Sequence, residues 1–519
     1  MPKKQNPSED PSEISTLPTE LVRLIFSHSA QNSRDQYDHD LAQRSPQLPT
    51  EVVLSHVCSD WRFIALNLHK IWSSFTIYHV PSNPAPLARV NQLQVYLERS
   101  IPAPLDLKFH FEGASIADAR NLEADVLQLA AEHAGRWKHI VINMIGVKTP
   151  LQLAPFVVLF RDLRAPQLEH FELFWTFPRR TTSSFNPGPR TPIATLLPRI
   201  LLQGCPKLTY LGLSLSSSGL FLPPITTCHN LTALDLNQPD TGDTYLTLTW
   251  PAFKVVMSLP LIALSLAEGV ISTWLEENIA DFSNTAMPYL KHLRWHGYDR
   301  RTRTSSRSSS WATTSFLGHL NAPMLKTLSI RSLQNTWCSE EFMPNLASVE
   351  TLYLANCYRP DPDLIPSLAK GTPNVTKITI QDESRHGMQD YVFQCLLGDW
   401  GERGGVGSLD TVWKKLKEID VLIVGNSSGP LNTPQYLEFM EQQRNGRRQQ
   451  TQLRFRFSKK IHDELRACDW SWREVYSAEY ADKAGNDLNS LRSSCDFGYI
   501  TDQDYHDFSI GNDWYLGAC

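Results

Sequence analysis

Only one stretch, Gly425-Asn426-Ser427-Ser428-Gly429, has residue types and spacing that match a nucleophile motif. It is a Gly-x-Ser-x-Gly following the strand-like Val421-Leu422-Ile423-Val424. In a hydrolase such a turn lifts a serine onto the first turn of a helix. Here Pro430 and Pro434 follow at once, so no helix can start where the motif needs one, and the stretch reads as a loop. Metal chemistry finds no support in spacing, because neither His-Glu-x-x-His nor Cys-x-x-Cys occurs. Gly401-Glu402-Arg403-Gly404-Gly405-Val406-Gly407 is rich in glycine but lacks the Lys-Ser/Thr pair that holds phosphates and metal, and it reads as a connection. The basic run Arg300-Arg301-Thr302-Arg303, with Arg307 and several serines, reads as a solvated loop. No catalytic residue, metal or cofactor is expected.

Elements that could position a site are easier to read. Leu17-Pro18-Thr19-Glu20-Leu21-Val22-Arg23-Leu24-Ile25-Phe26 predicts a short helix, with Pro18 in its first turn and Leu21, Leu24, Ile25 and His28 on one face. Leu54, Val57, Cys58, Trp61, Ile64 and Ala65 fall at the same spacing further on, and Ile71-Trp72-Ser73-Ser74 closes the block. Such short helices bury little surface alone, so they need each other and a partner. Between them Ala30–Pro49 is a polar insertion, and Leu48-Pro49-Thr50-Glu51-Val52 repeats the opening motif to start the next helix.

Taken in order, these three pieces resemble the F-box, a small helical bundle, over about sixty residues. The resemblance implies docking on the Skp adaptor of a cullin-RING complex. It assigns the contact to Leu17, Pro18, Leu21, Ile25, Phe26, Val57 and Trp61.

Past a stiff linker at Pro81–Pro86, an apolar-x-x-apolar-x-apolar phrase recurs. It starts at Trp137, Leu168, Leu208, Leu231, Leu261, Leu290, Leu325, Val349, Val375 and Leu416. Its second half alternates as a half-buried strand does. Helical stretches such as Leu122–Ala134, Pro192–Leu202, Trp250–Met257 and Met388–Trp400 lie between. A strand-plus-helix unit that cannot cover its own apolar faces must stack on its neighbours. Cys205-Pro206, Met287-Pro288, Ala322-Pro323 and Thr372-Pro373 precede strands and read as prolines ending a helix. Asn237 and Asn356-Cys357 match the Asn/Cys position of leucine-rich repeats. The expected fold class is therefore α/β, with an N-terminal helical F-box followed by an irregular leucine-rich-repeat solenoid of parallel sheet and outer helices. The expected domains are a disordered tail over 1–13, the helical domain over 14–80 with its insertion at 30–49, the solenoid over 87–460, and a C-terminal segment over 461–519. Gln452–Phe457 reads as the last strand. The C-terminal segment holds twelve Asp/Glu against four Lys/Arg but many aromatics, so it is not simply disordered.

At 519 residues the chain exceeds one compact core. Apolar residues make up 41% and charged ones 20%, the composition of a folded protein. A net charge of −5 gives no reason to expect nucleic acid. No apolar run is long enough to span a membrane, and the polar opening is not that of a secretory signal. The nine cysteines are expected to be reduced thiols in the cytosol or nucleus. The resemblance implies a non-catalytic substrate-recognition subunit of an SCF-type ubiquitin ligase, holding an unknown protein target on its solenoid. The alternative is a non-degradative interaction scaffold.

Overall fold

The computed structural model describes residues 17–39, 48–79, 86–112, 120–145, 154–176, 200–214, 224, 228–237, 248–267, 270, 275–283, 285–297, 316–331, 346–355, 364–382, 392, 413–423, 452–457 and 496–499. The tail, the glycine-rich stretches around Ser427 and Gly401, the basic run at Arg300, Asn356-Cys357, the side chain of Asn237 and most of 461–519 lie outside them. The chain divides into two compact units. One holds Met1–Pro178 with Arg199–Leu208, and the other Arg179–Pro198 with Thr209–Cys519.

The first unit opens with helices α1 (Thr19–His39), α2 (Thr50–Ser55) and α3 (Ser59–Asn67), followed by a 3₁₀ turn over His69–Trp72. Its four strands are β1 (Ser74–His79), β2 (Leu105–Glu112), β3 (Trp137–Ile145) and β4 (His170–Thr176). They pair in chain order and all in parallel. Helices α4 (Pro86–Arg99), α5 (Arg120–Ala131) and α6 (Ala154–Arg161) cross between them. The second unit continues the pattern with β5 (Tyr210–Ser214), β6 (Ala233–Asn237), β7 (Ala263–Ala267), β8 (His292–His296), β9 (Thr327–Arg331), β10 (Thr351–Ala355), β11 (Lys377–Asp382), β12 (Glu418–Ile423), β13 (Gln452–Phe457) and β14 (Asp496–Tyr499). These too are parallel neighbours in chain order. Its named helices are α7 (Trp250–Met257), α8 (Leu275–Ser283) and α9 (Leu364–Gly371). The protein is thus a mixed α/β chain built on open, all-parallel sheet.

All ten recurring phrases end in strands. The reason lies in the register. Leu264, Leu293, Leu328, Leu352, Ile378 and Ile419 stand side by side across six strands, each 0% exposed. Two residues on, Leu266, Trp295, Ile330, Leu354, Ile380 and Val421 form a second buried row. Burying each such side chain stabilises by about 1.5–3 kcal/mol, and one-residue slippage would turn both rows to the other face.

The phrase's first apolar residue closes a turn. Leu208, Leu290, Leu325 and Val375 each donate their N–H to the carbonyl three residues back, on Cys205, Met287, Ala322 and Thr372. Pro206, Pro288, Pro323 and Pro373 therefore occupy the second position of a four-residue turn, where their fixed φ fits. They shape the entry into the strand rather than merely ending a helix.

Three expectations change. Helix α1 continues through His39, covering the first ten residues of the insertion. Strand β1 begins at Ser74, inside the range assigned to the helical domain, and the helices fall in the same compact unit as β1–β4. Gln452–Phe457 is not the last strand, since β14 pairs beyond it.

Candidate protein-docking face

Both Leu-Pro-Thr-Glu motifs build the same helix start. Leu21 and Val22 donate their N–H groups to the Pro18 carbonyl at 3.0 and 3.2 Å, and Val52 and Val53 to that of Pro49 at 3.0 Å each. Each proline therefore stands one residue before its helix, as the cap, and not in the first turn. At α3 the cap is Cys58, in extended backbone, whose Sγ accepts the Trp61 N–H at 3.4 Å. Arg62 Nε donates to the Ser55 carbonyl at 2.9 Å and ties α3 to α2.

Helix α1 has two apolar faces. Val22, Phe26 and Ala30, at i, i+4 and i+8, are buried. Leu21 (47% exposed), Leu24 (66%) and Ile25 (46%) face outward, and His28 is exposed with them. The periodicity of 21–26 fits either face, because five of those six residues are apolar, so sequence alone could not say which one turned inward. Leu17, Pro18, Leu21, Ile25 and Val57 are exposed, whereas Trp61 is half-buried. Trp61 meets Phe26 edge-on at 4.9 Å between ring centroids. Phe26, at 0% exposure, packs into the local core. The second expected face also splits. Leu54 and Ala65 are buried, Trp61 and Ile64 are half-buried, and Val57 and Cys58 are exposed. The cause is that α2 ends at Ser55 and α3 starts at Ser59, so no single helix runs through Val57. Leu48, Val53 and Phe63 are exposed as well, and the doubled Leu-Pro-x-Glu motif is the sequence feature that marks Leu48.

The helices are braced from behind. Trp72 is buried, and its indole N–H donates to the Ala65 carbonyl at 2.8 Å. Its ring meets Tyr96 edge-on at 5.2 Å and lies 4.4 Å beneath the Arg99 guanidinium. The Tyr96 hydroxyl donates to the buried Glu51 carboxylate, linking α4 to α2. His69 Nδ1 sits 2.8 Å from the Arg99 carbonyl.

A second kind of surface is the sheet face opposite the apolar rows. In the first unit a bulge at Leu105/Asp106 sets Asp106 opposite His139, which stands opposite His170. His139 Nδ1 lies 3.0 Å from Asp106 Oδ1, the two imidazoles meet edge-on at 4.1 Å, and His170 Nε2 lies 2.8 Å from Glu172 Oε1. Burial, then the His139 charge, holds His170 well below the ordinary histidine range, against the pull of Asp106. In the second unit Asp235, Ser265, Arg294, Ser329, Tyr353, Thr379, Asp420 and Arg454 form one row. Asp420 is held by Arg454 Nε at 2.5 Å and by Lys377 at 3.2 Å.

Four histidines, His133, His170, His292 and His296, are lowered chiefly by burial. Unfolded, each titrates near its ordinary value of about 6.5. Below that pH the unfolded chain binds protons that the folded chain refuses, so stability falls as pH drops through this window. The urea midpoint is expected to drop between pH ~7.5 and ~5.5, and to drop less in His170→Gln and His296→Gln. An unchanged or rising midpoint contradicts this.

Among the described residues no group of three or more His, Cys, Asp or Glu side chains could hold a metal ion, and no helix is long and apolar enough to cross a membrane. Neither a family model nor a curated protein matches the chain.

Proposed function

We propose that this chain is the target-recruiting, non-catalytic subunit of an SCF-type cullin-RING ubiquitin ligase. In this reading α1–α3 are the F-box that docks a Skp-type adaptor. The strand-and-helix units are an irregular leucine-rich-repeat solenoid that holds a target protein.

The observation that carries the reading is the sorting of apolar residues on α1–α3. Val22, Phe26 and Leu54 pack inward, while Leu17, Leu21, Leu24, Ile25 and Val57 stay exposed on so small an element. Clustered exposed apolar side chains mark an interaction surface, and a few such anchors supply most of a docking energy. The bracing through Trp72, Tyr96 and Glu51 supports the same reading, because a docking element must transmit position to the rest of its unit. The chain would then act by proximity, holding a target near a charged ubiquitin-conjugating enzyme and raising its effective concentration.

The test uses a purified Skp-type adaptor and an N-terminal cullin fragment. The immobilised chain is expected to retain the cullin fragment only when the adaptor is present. Capture of the adaptor without the cullin would overturn the ligase assignment and leave an interaction scaffold.

A further inference from the structure

In the second unit the turns that lead into β8 to β12 stack along one edge of the sheet. Each is closed by an N–H donated to the carbonyl three residues back, from Leu290, Leu325, Val349, Val375 and Leu416. The first and last residues of every turn are buried, and the middle two are exposed or half-buried. Backbone bonds hold consecutive turns one strand spacing apart. The Lys326 N–H reaches the Lys291 carbonyl at 2.8 Å, Glu350 reaches Lys326 at 2.9 Å, Thr376 reaches Glu350 at 2.8 Å and Lys417 reaches Thr376 at 2.7 Å. The outward residues of these turns therefore form one continuous strip.

The strip changes character along its length. At the β8 and β9 end the middle residues are Pro288-Tyr289 and Pro323-Met324, all exposed. Tyr289 is 62% exposed and Met324 48%, and apolar side chains clustered on a surface mark a contact site. At the β12 end the middle residues are Lys414-Lys415, with Lys417 beside them. All three are exposed, and among the described residues none forms an ion pair, whereas Lys326 is engaged by Glu350. Three ammonium groups so close in the chain repel one another, and carboxylates laid against them relieve that repulsion. Three strand spacings separate the Met324 turn from the Lys415 turn, about 14 Å. An extended chain covers that distance in about four residues.

We propose that this strip binds an extended acidic segment of another protein, one that carries an apolar anchor. The anchor sits on Tyr289 and Met324, and carboxylates about four to six residues along the segment meet Lys414, Lys415 and Lys417. A nucleic-acid backbone would use the lysines but leave the apolar end of the strip without a partner, so the two ends together favour a protein segment. The inference rests on the recruiting role only in calling that segment a target. Binding itself needs neither adaptor nor cullin, so its failure and the failure of the ligase assignment are read separately.

The full chain is titrated, by fluorescence anisotropy, against the fluorescein-labelled peptide Phe-Leu-Gly-Ser-Gly-Ser-Glu-Asp-Glu and, separately, against the same residues in reverse order, since the strip sets no chain direction. Binding of at least one peptide is expected. It should weaken about tenfold or more in Lys415→Glu with Lys417→Glu, and likewise in Tyr289→Ser with Met324→Ser. All four side chains are exposed, so the urea midpoint should stay where it is. Peptides with amides in place of the carboxylates, or with serine in place of Phe and Leu, make the same two cuts from the ligand side and cover the case in which a variant misfolds. The proposal is overturned if the wild type takes up neither peptide, or if either cut leaves the affinity unchanged. Tighter binding of a labelled oligothymidylate than of both peptides would also overturn it and assign the strip to nucleic acid.

Discussion

The variant Leu21→Asp with Ile25→Asp is expected to lose adaptor binding by about a thousandfold or more while remaining folded. Both side chains are roughly half exposed in the free chain, so neither contributes much to the core. Each would bury its remaining apolar surface against a partner, about half of a full side-chain burial, stabilising the complex by about 0.7–1.5 kcal/mol. A carboxylate in its place adds the cost of desolvating a charge. Two such changes exceed about 4 kcal/mol, which is roughly three decades in affinity. The helix itself should tolerate the substitutions, since Leu21 lies in the first turn of α1, where a negative charge is favourable. Far-ultraviolet circular dichroism and the urea midpoint check that the fold is kept. Equal binding by variant and wild type would remove the outward face of α1 from the docking surface. These two positions serve better than Trp61, whose contact with Phe26 makes Trp61→Ala a change in packing as well as in surface.

Trp72→Ala is expected to have the largest effect on stability, costing about 3–5 kcal/mol. The indole is 1% exposed, bonds the Ala65 carbonyl, packs edge-on against Tyr96 and lies under Arg99. Its removal leaves a cavity, takes from the Ala65 carbonyl the shorter of its two hydrogen bonds (the Leu68 N–H remains at 3.3 Å) and leaves a guanidinium with nothing beneath it. Such a loss is a large share of the total stability of an ordinary domain, about 5–15 kcal/mol. The helices should be the first part to loosen, seen as faster amide exchange over α2 and α3 than over β3. An exchange pattern and urea midpoint like those of the wild type would mean that Trp72 does not brace the helices.

The strands were legible in the sequence because alternation and phrase length leave one solution. A phrase such as Leu290-Lys291-His292-Leu293-Arg294-Trp295 places three apolar residues where a turn and a half-buried strand need them. Strand β1 follows one more copy of the phrase, Trp72-Ser73-Ser74-Phe75-Thr76-Ile77, which is obscured in the sequence because Trp72 also closes the helical block, and β2 escapes notice because Pro104 stands where the leading apolar residue would be. Strand β14 is only four residues long and has no copy of the phrase before it. The helices α1–α3 were legible as a set of residue types, but the inward and outward faces of α1 were not, since α1 is apolar on both. The pairing of Tyr96 with Glu51 could not be read at all. It joins residues 45 positions apart, and nothing local at either one signals the other. The cluster of Asp106, His139 and His170 was hidden for a similar reason, because it exists only through the register of three strands.

The most direct test of the account is calorimetric titration of a purified Skp-type adaptor into the purified chain, with the Leu21→Asp, Ile25→Asp variant in parallel. The account predicts a one-to-one complex with the wild type and no measurable heat with the variant. A folded wild-type chain that gives no binding heat and migrates separately from the adaptor on gel filtration would contradict it.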